Sequence, residues 1–200
     1  PPPLPPPPWL PPPVAAGPNA PGALYSWTIQ DDSQPHGGRE YPDLHLALTH
    51  LHRLLEEHAP LDGILGVGQG AGLAQVLSAQ ACHAVATGDP HSPARQLQFA
   101  ILFAGARPGY QHQRRDLFAQ QLPMPTFIGA GVCSPSGSSG GPMVDHGVGM
   151  ASLVHMRVCN VFTHDSVHSR PFPEGRAQAD EEAESIIGFI IRAISEQFPK

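Results

Sequence analysis

Two hundred residues, 40% of them hydrophobic and 14% charged, are enough for one globular domain with a sizeable core plus some non-globular chain. The net charge of -6 leaves no electrostatic case for nucleic acid or an anionic membrane surface. No run reaches the roughly 18 apolar residues of a membrane span, and three cysteines at wide, unpatterned spacing (Cys82, Cys133, Cys159) imply no disulfide framework or zinc knuckle.

A reduced, cytosolic setting is the expectation that follows from those cysteines. Lysine occurs only at Lys200, while Ala, Pro, Gly and His are plentiful, which reads as compositional bias. The 12 histidines therefore argue for nothing by number alone.

Residues 1–23 hold twelve of the 25 prolines. Proline at this density forces extended or polyproline II backbone and removes the donors a sheet needs, so the segment is expected to be a linker or arm rather than a core strand. Pro1 to Pro13 also has the character of a ligand for an aromatic-lined groove, which makes a protein partner the expected one. Leu24 to Gln30 alternates enough for a short strand. From Pro42 the pattern changes: Leu44, Leu48, Leu51 and Leu55 recur at helical spacing and Pro60 closes the segment, predicting an amphipathic helix over 42–58. His45, His50, His52 and His58 lie on or near it without acidic or thiol partners at converging positions, so they are read as solvated histidines and no metal is expected.

The most informative stretch follows. The apolar run Ile64 to Val67 leads into glycines at 66, 68, 70 and 72, and then into a helical segment to about residue 86. Strand, sharp turn and helix form the setting in which a G-x-S-x-G elbow presents its nucleophile. Here the apex residue is Gly68. The same glycines fit a dinucleotide-binding G-x-G-x-x-G/A, but a helix precedes this strand and no acid ends the next one, so no nucleotide cofactor is expected.

After a Gly/Pro/Ser loop at 87–95, the apolar run Leu97 to Ala104 suits a strand buried on both faces. A charged helical piece is expected at 114–121, a strand at 125–131, a Ser/Gly loop at 134–142, a weakly helical stretch at 144–156 and a last strand at 157–163. Asp180 to Gln197 carries Ile186, Ile187, Ile190 and Ile194 behind a cluster of acids read as the first turn of a C-terminal helix. This alternation predicts an α/β fold, a mostly parallel sheet with helices on both faces. His164-Asp-Ser-Val-His168 has the outline of a zincin H-E-x-x-H, but it leaves a strand and runs into prolines, so a zinc site is not expected there.

Leu61-Asp-Gly-Ile-Leu-Gly66, with Gln69-Gly70-Ala71, resembles the D-G-I-L-G-F-S-Q-G-A elbow of the FSH-type serine hydrolases, esterases of the α/β-hydrolase superfamily that include the ovarian-tumour-suppressor-candidate proteins. His164-x-x-x-His168-x-x-Pro171 is similar to that family's H-x-G-G-H-x-V-P segment. The resemblance spans about residues 40–197 and implies an α/β-hydrolase-like domain over 24–200, lacking its N-terminal strands in a chain that opens on Pro1. It places the nucleophile at Gly68, the triad acid at Ser134 and the general base at His168. Two of the three positions are thereby vacated, with Asp145 as a substitute acid to consider. The implied function is a catalytically degenerate hydrolase-like module, structural or protein-binding, in the cytoplasm, with a cytoskeletal assembly as one setting. The alternatives are an active esterase with a non-standard nucleophile and a small-ligand receptor in the emptied pocket.

Overall fold

The computed structural model describes residues 41–103, 110–131, 150–164 and 176–197. The proline-rich segment 1–23 and the strand expected at 24–30 lie outside the described residues.

Helix α1 (Leu44–Glu57) turns Leu44, Ala47, Leu48 and Leu55 inward, the stripe that leucine spacing predicts. It ends at His58, whose N–H donates to the Leu54 carbonyl at 3.0 Å, ahead of Pro60. Strand β1 (Gly63–Val67) then runs into helix α2 (Gln69–Thr87). Small side chains make α2 apolar around most of its circumference, and it is buried from Ala71 to Ala79. Gly88 stops it in a left-handed conformation, donating its N–H to the Val85 carbonyl. His52 and Gln80 join α1 to α2 through a 2.8 Å hydrogen bond between Nε2 and Oε1.

The expected loop at 87–95 runs into a short 3-10 helix, Pro93–Gln96, whose last turn places Leu97 before strand β2 (Phe99–Phe103). Gln96 holds this corner together. Its Nε2 donates to the carbonyls of Leu55 and Pro93 at 3.0 and 3.1 Å, and its Oε1 accepts from the N–H of Leu61 at 2.8 Å. The end of α1, the 3-10 turn and the approach to β1 thus share one side chain.

Helix α3 is a single turn, Tyr110–Gln113, and the helical piece expected at 114–121 is instead a series of turns. The reason is where the buried anchors fall. Tyr110 is 2% exposed and packs at a tilt on Tyr41 with ring centroids 4.4 Å apart, whereas Arg115 and Asp116 are exposed and Arg114 pairs locally with Asp116. Strand β3 (Thr126–Gly131) follows. Within the stretch expected to be weakly helical, residues 150–156 make one turn and an isolated parallel bridge between Leu122 and Val154. Strand β4 (Cys159–His164) and helix α4 (Arg176–Gln197) complete the described chain. Helix α4 begins four residues before Asp180, so the acids occupy its second turn and not its first. Ala177 and Ala179 favour helix and carry it upstream.

All four strands are parallel, in the order β1-β2-β3-β4. The two-residue period divides the core. Ala100, Leu102 and Ile128 join α1 and α2 on one face; Ile101, Phe103 and Phe127 meet Phe189 and Ala193 of α4 on the other. Phe189 packs against Phe99 and Phe127 with centroids 6.1 and 5.9 Å away. Helices therefore cover both faces of a parallel sheet, as the alternation of elements predicts. Among the described residues, no helix is long and apolar enough to cross a membrane.

Candidate functional site

The elbow is built where β1 gives way to α2, at the C-terminal edge of the sheet. Gly68 stands between them with φ 57° and ψ -120°, and it is the N-cap of α2. Its N–H donates to the Phe103 carbonyl at 2.9 Å, which carries the β1–β2 ladder one residue past the strand and fixes the turn to the end of β2. Its carbonyl accepts from the Ala71 N–H at 3.1 Å, starting the helix. An L side chain rarely adopts this backbone; glycine does so at little cost.

Gly66 and Gly68 are glycines for different reasons. A Cβ on Gly66 would stand 2.5 Å from the Gly70 carbonyl oxygen and 2.6 Å from the Ala71 Cα, so the strand can approach the helix this closely only without a side chain. A Cβ on Gly68 would meet no heavy atom of the described residues within 4 Å. Residue 68 stands in front of the N-terminus of a 19-residue helix, the end that carries partial positive charge. The frame of a nucleophile elbow is present, and glycine offers no atom with which to attack.

No hydroxyl or thiol of α2 stands in for it. Ser78 is buried, and its hydroxyl donates to the Ala74 carbonyl at 2.9 Å. The Cys82 thiol is pushed up to about 11 by burial, against a smaller opposing effect of backbone hydrogen bonding at Met124 and at Cys82 itself. Burial also raises the Cys159 thiol. Both are therefore held as the unreactive thiol at neutral pH. His50 on α1 is lowered, first by desolvation and then by the Arg53 guanidinium, with Glu57 opposing. Among the described residues, no group of His, Cys, Asp and Glu is arranged to hold a metal ion. Two surface grooves, of about 250 Å³ beside β4 and α4 and about 570 Å³ beside the 3-10 turn, are lined by no residue of the elbow.

Of the sequence-predicted site residues, Gly68 occupies the elbow. Ser134, His168 and the substitute acid Asp145 lie outside the described residues. Two contributors escaped the sequence reading. The Phe103 carbonyl, which holds the turn, carries no sequence signal because it is backbone. Gln75 does carry one: it is the lone polar residue in the run Leu73 to Leu77, 1% exposed, donating through Nε2 to the Met150 carbonyl at 3.1 Å while its Oε1 is buried without a partner among the described residues. It ties α2 to the segment that begins at residue 150.

A search of curated proteins returns no match. Among solved structures, the chain is similar to Zea mays acyl-protein thioesterase 2, with a TM-score of 0.52 and 15% identity over 84% of this chain and 73% of that one. At that identity the likeness speaks for the fold alone, and it agrees with an α/β-hydrolase-like architecture. The family model described as serine hydrolase (FSH1) matches residues 12–132, from within the proline-rich segment through β3. That match takes in the elbow and three of the four strands, and the chain belongs to the serine hydrolase (FSH1) family.

Proposed function

We propose that this domain is a catalytically degenerate serine hydrolase that serves as a structural or protein-interaction module in the cytoplasm. Its proline-rich segment, Pro1 to Pro13, is offered to an aromatic-lined groove of a partner, within a larger assembly of which a cytoskeletal one is an example. The observation that carries this reading is Gly68: a glycine at the apex of an elbow whose backbone is otherwise intact. In a Ser-His-Asp hydrolase the serine supplies the attacking atom, and its loss alone lowers turnover on the order of a millionfold, leaving oxyanion and binding effects. The reading is strengthened by Ser134, which stands where the resemblance places the acid. It is consistent also with the raised thiols of Cys82 and Cys159, which are poor nucleophiles at neutral pH.

The test is labelling of the purified protein with a fluorophosphonate probe. No covalent adduct is expected in intact mass spectra, at probe concentrations that fully label a working serine esterase. An adduct that vanishes in His168→Ala would overturn the proposal and establish an active hydrolase with a non-standard nucleophile.

A further inference from the structure

We draw no further inference here: the strongest candidate, the exposed apolar patch of Leu65 and Val67 on strand β1, carries nothing because nothing in the structure shows what covers it.

Discussion

At Gly68 the backbone and the space around it separate two effects that a substitution usually mixes. Gly68→Ala meets no described neighbour, so its penalty comes from the positive-φ backbone, about 1–3 kcal/mol for a sparsely populated conformation. Gly66→Ala has an ordinary strand backbone but drives its methyl into the Gly70 carbonyl and the Ala71 Cα, which cannot move without displacing α2. Urea denaturation is expected to show Gly66→Ala as the more destabilising of the two, by more than 1 kcal/mol; the reverse order would mean that the elbow is not built as described.

The cysteines give a residue-scale pH dependence. The Cys82 thiol lies at about 11 in the folded chain against 9.0 for an unperturbed one, and Cys159 moves in the same direction. A group whose folded value is raised binds its proton more tightly in the native state. Its contribution to stability is therefore full below 9.0 and is lost as pH rises towards about 11. The urea midpoint should fall across that window, and the fall should shrink in Cys82→Ala while persisting in part through Cys159. A midpoint that holds steady across the same range would refute the burial of these thiols.

The elements show why some boundaries were readable in the chain and others were not. Helix α1 was visible in its leucine spacing because one stripe of a helix must face a core and the stripe repeats every three or four residues. The short turn of α3 and the bridge at Leu122–Val154 were not, because their form depends on Tyr110 meeting Tyr41 and on Leu122 meeting Val154, partners far apart in sequence. The corner held by Gln96 is of the same kind. Nothing in Ser-Pro-Ala-Arg-Gln marks that glutamine as the side chain that joins three segments.

Gln96→Ala would leave the Leu61 N–H and the Leu55 and Pro93 carbonyls without this partner in a half-buried corner. A loss of about 2 kcal/mol is expected in urea unfolding. Hydrogen exchange at Leu61 should quicken with it, since that amide loses its Gln96 Oε1 acceptor. An unchanged exchange rate would show that the corner is held by packing alone.

The described residues form a parallel sheet in which consecutive strands are neighbours, with α1 and α2 on one face and α4 on the other. Parallel pairing places the C-terminal ends of all four strands along one edge, and the elbow stands on that edge. Activity in this family depends on residues from distant parts of the chain meeting there. Under the proposed function, which puts Ser134 at the acid position, returning a nucleophile alone restores little: Gly68→Ser should turn over p-nitrophenyl esters about 10⁴-fold more slowly than a triad enzyme, by analogy with the loss of the acid in a serine protease. Turnover within tenfold of a working esterase would mean that another carboxylate, Asp145 foremost, serves His168.

Reading residues in order was sufficient for the alternation of strands and helices, the glycine-rich strand–turn–helix around Gly68 and the family to which the chain belongs. Those features are written locally, in the periods of apolar residues and in a short glycine-rich motif whose members are neighbours in the chain. Three features emerged only in the folded chain: the strand order, the division of the core between the two faces of the sheet, and the anchoring of the turn by the Phe103 carbonyl. Each depends on contacts between residues about thirty or more positions apart, which no local pattern records. Gly68 needed both: the motif named the position, and the fold gave its positive φ at the head of α2, with no described residue within 4 Å of where a Cβ would stand.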